Sequence, residues 1–186
     1  GIAVSRLLLK YGFTQLTLCD SRGAIYEGRP GLDGAKAEIA RETNRSRQTG
    51  ELASVISGAD VFIGVSKANV LSPESVHSMN ARPIIFALAN PVPEIMPDVA
   101  RAAGAFIVAT GRSDFPNQIN NVLAFPGIFR GALDNQVRRI TDEMLIRAAE
   151  NLAAHVAAPT PDMILPPVFD KGVVPAVASA IVEHET

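Results

Sequence analysis

Tryptophan is absent, tyrosine occurs twice, and aromatic residues make up only 5% of the 186-residue chain, which leaves no stacking platform for nucleobases. Charge of either sign is in no excess: 17 basic residues face 19 acidic ones, for a formal net charge of −2. Without a polybasic footprint, nucleic acid and anionic membrane are poor first choices of partner, and a small molecule is the better one. A single cysteine, Cys19, excludes an internal disulfide and suits a reducing, cytoplasmic compartment. No run approaches the roughly 18 consecutive apolar residues of a membrane span. The three histidines, His77, His155 and His184, have no ligand spacing among themselves or with Cys19, so they assemble neither a zinc site nor a relay, and each reads as a surface residue. An initiating methionine is missing as well. The chain opens on Gly1 and runs straight into a helical pattern with no charged leader, so it reads as cut.

What is present suits one globular unit, with 47% hydrophobic residues and enough length to bury a sizeable core. Ile2, Val4, Leu7, Leu8 and Tyr11 approximate a helical stripe that Gly12 closes. Residues 15–20 read as a buried strand ending in the turn Ser21-Arg22-Gly23, and 24–27 as a short extended segment. Loop is expected at 28–34 and helix at 35–41, with the polar stretch 43–50 as the most mobile loop. A rhythm then sets in: helix at 51–56, strand at 60–65, helix at 73–79, strand at 83–88, helix at 97–103, strand at 105–108. Short Val, Ile and Phe runs without polar alternation predict strands buried on both faces, joined by crossover helices into a parallel, doubly wound α/β sheet of Rossmann-like type. Beyond it, residues 122–133, 142–157 and 173–183 all favour helix with no strand between them. The expected division is a sheet region over 1–133 and a helical C-terminal part over 134–186.

Four constellations carry chemistry. Gly1 stands where a dinucleotide-binding turn has its last glycine, and Asp20, about twenty positions on at a strand end, stands where an acid bonds the ribose; an arbitrary terminus and a capping aspartate are the alternatives. Gly64-Val65-Ser66 ends the strand at 60–65. It falls short of a nucleophile elbow because Ala68 replaces the closing glycine, so Ser66 is better cast as a hydroxyl lining a cofactor cleft. Asn90 precedes Pro91, which holds it out of the helical region and displays its amide beyond the strand at 83–88, unless it makes an Asx turn. Finally, residues 110–121 gather Thr110, Arg112, Asn117, Asn120 and Asn121 in one strand-to-helix junction. Asn120 and Asn121 would stand in the first turn of the next helix, where a substrate carboxylate is comfortable. Arg112 would pair with such an anion or bridge to Asp114.

Taken together, Val61-Phe62-Ile63-Gly64-Val65-Ser66, Pro83-Ile84-Ile85-Phe86-Ala87-Leu88-Ala89-Asn90-Pro91 and Asn120-Asn121-Val122-Leu123-Ala124-Phe125-Pro126-Gly127 resemble the NAD-binding domain of malic enzymes of the bacterial type. Asp20-Ser21-Arg22-Gly23, Tyr26-Glu27-Gly28-Arg29 and Pro166-Pro167-Val168-Phe169-Asp170 fit the same family, so the likeness runs over essentially the whole chain. It implies oxidative decarboxylation of malate to pyruvate and carbon dioxide with reduction of NAD(P). On that resemblance Asp20 would hold the adenosine ribose, and the Gly64-Val65-Ser66 turn would line the cofactor crevice. Asn90 would contact the nicotinamide ribose or substrate, and Asn120 and Asn121 would contact the nicotinamide end and malate.

The family's lysine base and tyrosine acid belong to a preceding domain, and its divalent-metal carboxylates lie before the glycine-rich turn. Those segments are not in this chain, and Lys10, Tyr11 and Tyr26 do not replace them. The expectation is a cofactor-binding fragment that does not catalyse alone, with Mg or Mn held elsewhere in a complete, homo-oligomeric enzyme. Asp20 would repel a 2′-phosphate and favour NAD, while Arg22 and Lys36 stand near enough to accommodate NADP. A non-catalytic dinucleotide sensor and an assembly module are the rival readings; neither explains amides at three successive strand ends. In a doubly wound sheet the first strand is central. Here it would precede Gly1, so a gap or a forced pairing is expected between residues 16–19 and 60–65.

Overall fold

The computed structural model describes residues 1–183; His184 lies outside them. Helix α1 (Ile2–Tyr11) ends at Gly12, whose φ of 116° lets its N–H reach back to the carbonyls of Leu8 and Leu9. Strands β1 (Cys19–Asp20) and β2 (Gly23–Ala24) form an antiparallel hairpin. The strand expected over 15–20 is therefore only its last two residues. A strand needs a ladder partner, and residues 16–18 have none among the described strands. Their carbonyls are satisfied singly instead, Leu16 by the N–H of Asn44 and Leu18 by that of Ile25. Helix α2 (Gly34–Glu42) follows, capped by Asp33, which accepts from the N–H of Lys36.

The polar stretch after α2 begins with two buried residues, and 45–50 are exposed. Thr43 and Asn44 are buried, at 2% and 4% exposure. The Asn44 amide donates to the carbonyls of Ile25 and Gln48, and its oxygen accepts the N–H of Gln48. Polar side chains here replace the ladder that this part of the chain lacks.

The rhythm from Glu51 onward emerges as helix α3 (Leu52–Val55), strand β3 (Val61–Gly64), helix α4 (Pro73–His77), strand β4 (Ile84–Ala87), helix α5 (Pro97–Ala102) and strand β5 (Ile107–Thr110). The three strands are parallel in the order β3-β4-β5. Strand β5 starts two residues later than the apolar run at 105–108 suggests, because its ladder sets Ile107 opposite Ile84. Ile85, Ala87 and Val108 pack with Ile56, Leu71, Val76 and Ile95 into one core. Among the described residues, β4 is the sole ladder partner of β3, and the hairpin shares no ladder with the sheet. Val61 and Val65 at the ends of this edge are 44% and 46% exposed. Among the described residues no ladder joins 16–19 to 60–65, so the forced pairing named as one alternative is not formed.

After β5 come a 3₁₀ turn at Asn121–Leu123 and helices α6 (Phe125–Asp134), α7 (Asp142–Ala154) and α8 (Val173–Ala178). The helix expected over 122–133 is split at Ala124, since Pro126 lacks an N–H and fits only a helix's first turn. Helix α8 stops short of the expected residue 183. The carbonyls of Ile181 and Val182 are instead taken by the side chains of Asn135 and Arg147. Leu123, Met144, Ala148, Val173, Val177 and Ile181 form a second core. No described helix is long and apolar enough to cross a membrane.

Helices α6 and α8 meet closely at two glycines. A Cβ on Gly127 would stand 2.6 Å from the Cβ of Val177, and one on Gly131 would stand 2.8 Å from the Cβ of Ile181. Gly127→Val is expected to cost about 2 kcal/mol or more through overpacking, read as a lower midpoint in urea unfolding. An unchanged midpoint would refute the close packing.

Candidate functional site

Parallel pairing in register makes β3, β4 and β5 end together, with Gly64 opposite Ala87 and Ala87 opposite Thr110. Three loops therefore leave one edge of the sheet, which is where ligands of such sheets sit. Ser66 lies in the first loop and is exposed. Gly1 joins this edge from the other side, since a Cβ on it would lie 4.0 Å from Cγ2 of Val65. The free N–H groups at the start of α1 thus stand beside the exit of β3.

Asn90 lies in the second loop, exposed and joined to Pro91 by a cis peptide bond. It makes no Asx turn: its side chain has no hydrogen bond to the described residues, and its amide is presented to solvent.

The third loop divides its polar groups between structure and display. Asn117, 7% exposed, is spent internally: its amide donates to the carbonyls of Val108 and Pro161, and its oxygen accepts the N–H of Ile164. The crowding of amides here thus has a core-forming purpose in part. Arg112 takes its bland alternative and clasps Asp114 at 2.6 and 2.8 Å. Asn120 caps the 3₁₀ turn, its oxygen accepting the N–H of Val122 at 3.0 Å. Asn121 is exposed and its side chain has no hydrogen bond to the described residues. The structure thus brings Gly1, Ser66, Asn90, Asn120 and Asn121 to one edge.

Asp20 belongs to a different cluster. Its Oδ2 accepts from Arg29 at 2.5 Å and from Lys36 at 3.0 Å, and its Oδ1 accepts the N–H of Arg22 at 2.9 Å. The side chains of Asp20 and Arg29 are only 16% and 8% exposed. Hydrogen bonding to the Arg29 guanidinium, ahead of burial, holds the Asp20 carboxyl well below the usual carboxylate range, and Asp20 in turn raises Arg29. Arg29 also donates to the carbonyls of Gly23 and Ala24, fastening the hairpin. Arg22, Tyr26, Arg29 and Thr49 line an open cavity of about 260 Å³ beside it. Sequence spacing found the acid but not the arginine that engages it, because an arginine in a glycine-rich loop carries no local signal of burial.

Among the described residues no three His, Cys, Asp or Glu side chains come together to hold a metal ion. His77 is exposed, but His155 is half-buried, with Nε2 3.3 Å from Asp170 and its ring against Gly172 at the start of α8. The surface reading of His155 is thereby corrected: its ring fills the space that a glycine leaves open.

The sequence model for the family described as malic enzyme, NAD binding domain, matches residues 10–185. The chain is 57% identical over 184 residues to the bifunctional malic/malolactic enzyme of Bacillus subtilis (strain 168), covering 97% of this chain and 45% of that protein. It is 51% identical over 166 residues to the NADP-dependent malic enzyme of Rhizobium meliloti (strain 1021), covering 87% and 21% respectively. The crystal structure of the NAD-dependent malic enzyme from Thermotoga maritima superposes with a TM-score of 0.93 at 48% identity, covering 97% of this chain and 48% of that one. The chain therefore spans less than half the length of each of these relatives.

The ion pair at Asp20 sets a pH test. A carboxyl whose folded pKa is depressed stabilises the fold above its unfolded pKa of about 3.9 and loses that contribution as pH falls below it. Asp20→Asn is expected to lower the melting temperature at pH 6 to 8. The gap to wild type should narrow steadily below about pH 4. A gap independent of pH would show that the pair does not stabilise the fold.

Proposed function

This chain belongs to the malic enzyme NAD-binding domain family, and on that premise we propose that it binds a nicotinamide dinucleotide across the carboxyl edge of its parallel sheet. The complete protein of which it is part uses that dinucleotide to oxidise and decarboxylate malate to pyruvate and carbon dioxide. The observation that carries the reading is the shared edge of β3, β4 and β5, where the side-chain amides of Asn90 and Asn121 stand exposed and unpaired among the described residues. Amides fit such a ligand well: they orient hydroxyl and carboxylate oxygens without competing for a proton.

The dinucleotide, when bound, supplies the hydride acceptor. This chain's residues bind and orient. The first turn of α1 behind Gly1 offers backbone N–H groups to the pyrophosphate, and Ser66 offers a hydroxyl to the ribose side. Asn90 holds the nicotinamide ribose or the substrate, Asn120 the nicotinamide end, and Asn121 a carboxylate of malate. Residues 1–133 form the crevice and 134–186 its helical support. On the family resemblance, Mg or Mn would be held by residues outside this chain, and the residues named here would act on the dinucleotide and substrate alone.

NAD is the first choice of cofactor. Asp20 is assigned to the ribose end, and because Arg29 and Lys36 outweigh its single negative charge, its repulsion of a 2′-phosphate is blunted and NADP is also admitted. Cys19 is unpaired, in keeping with a cytoplasmic enzyme. Phe125, Phe129 and Leu133, four residues apart on α6 and 50%, 59% and 78% exposed, support assembly of the complete enzyme into an oligomer.

Titration calorimetry on the complete protein tests the reading. It should bind NAD more tightly than NADP, and Lys36→Ala should weaken NADP more than NAD. Asn121→Ala is expected to reduce malate-dependent NAD reduction by about tenfold or more, the loss of one hydrogen bond to a charged group, with circular dichroism unchanged. Absence of dinucleotide binding would overturn the proposal, and a preference for NADP would overturn the cofactor choice.

A further inference from the structure

Glu94 is the one charged residue among the described residues that the fold buries, at 0% exposure. Glutamate is almost never fully buried without a partner, and no cation pairs with it among the described residues. Its partners are two backbone N–H groups: Oε1 accepts from Ser66 and Oε2 from Ala89, each at 2.9 Å. These donors are the first chain segments past the end of the sheet. The β3–β4 ladder closes with the N–H of Leu88 on the carbonyl of Gly64. Beyond that point the strands diverge into the loops that carry Ser66 and Asn90, and no neighbouring strand satisfies their amides.

The surrounding backbone supports the same arrangement. The N–H of Asn69 donates to the carbonyl of Pro93 at 3.1 Å, and that of Leu71 to the carbonyl of Glu94 at 3.0 Å, so the two loops are stitched along their length. Gly64 is buried directly beneath, and a Cβ on it would overlap the Glu94 side chain, standing 2.7 Å from Cγ. The bare glycine at the end of β3 is what lets the carboxyl group reach both loops. Simple filling of this space would call for an apolar side chain without the desolvation cost of a carboxyl. What a carboxyl adds is two acceptor oxygens in one rigid plane, each aimed at a separate loop.

We propose that Glu94 is a positioning residue of the cofactor crevice, a clamp that sets the exit turns of β3 and β4, and hence Ser66 and Asn90, at a fixed mutual distance. It touches neither ligand nor reacting atoms. It acts on Ser66 through that residue's own N–H, and on Asn90 through the N–H of the residue immediately before it. The inference rests on the reading that a dinucleotide binds at this edge.

Glu94→Gln keeps the volume but turns an NH₂ toward one of the two N–H donors. In the complete protein that carries this chain, it is expected to raise the dissociation constant for NAD by about tenfold, equivalent to losing one such hydrogen bond, with a matching rise in KM for NAD. Val76→Ala, a truncation of the same core in α4, serves as the stability control: it should lower the melting temperature and leave NAD affinity as in wild type. Should Glu94→Gln not fold, Glu94→Asp carries the test, since a carboxyl one methylene shorter reaches only one loop and is expected to weaken NAD binding by about tenfold as well. A folded Glu94 variant with wild-type affinity overturns the clamp while leaving the cofactor reading standing. Loss of affinity in Val76→Ala equal to that in Glu94→Gln overturns it too, as the effect would then be one of stability alone. If wild type itself binds no dinucleotide, the cofactor reading fails and the clamp falls with it.

Discussion

Where β3, β4 and β5 stop, their hydrogen-bond ladder stops with them, and every backbone amide just past Gly64, Ala87 and Thr110 must find another partner. Much of what distinguishes this edge follows from that demand. At β3 and β4 the partner is the Glu94 side chain. At β5 the N–H of Arg112 turns back to the Thr110 hydroxyl at 3.2 Å, while a short parallel continuation, in which Gln118 bridges Thr110, brings the N–H of Ile119 to the Thr110 carbonyl at 2.7 Å. Each solution bends the chain sharply while keeping it tied to the sheet. The candidate ligand groups are thereby carried on loops that are held at their roots rather than on free ones.

Five asparagines show how one residue type is put to two uses. Asn44 and Asn117 are buried and spend their amides on backbone groups that lack a ladder. Asn120 is half spent, its oxygen occupied in capping a 3₁₀ turn. Asn90 and Asn121 are exposed and spend nothing on the described chain. An amide is neutral, carries both donor and acceptor, and satisfies backbone as readily as ligand. Composition alone therefore cannot separate the two uses, and burial does.

The cluster at Asp20 follows the same logic with charge in place of amides. A strand of two residues has too little ladder to hold a hairpin in place. Arg29 and Lys36 supply the missing attachment through one carboxyl group, with Arg29 also bonding the hairpin's carbonyls. A residue singled out as a ligand contact is thus also the structural centre of its region. Whatever it does for a ribose, it does already engaged by two cations.

Short-range patterns in the sequence were sufficient for the class of fold. Apolar runs such as Ile84–Ala87 bounded by turn residues specify buried parallel strands, and helix signals such as Ser72 before Pro73 specify where crossovers begin, because periodicity and capping act within a few residues. Three ordered motif blocks were also enough for the family. Strand extent was not legible: residues 16–18, with Leu16 and Leu18 apolar, form no strand, because pairing depends on a neighbour that local sequence cannot supply. Burial was not legible either, since Thr43, Asn44 and Glu94 are polar in any local reading and are enclosed only by elements distant in the chain. Sequence determined which groups were available to the site. Tertiary structure decided which of them are consumed in holding the loops and which remain free for a ligand, since a hydrogen bond is allotted by proximity and only the folded chain sets what is near.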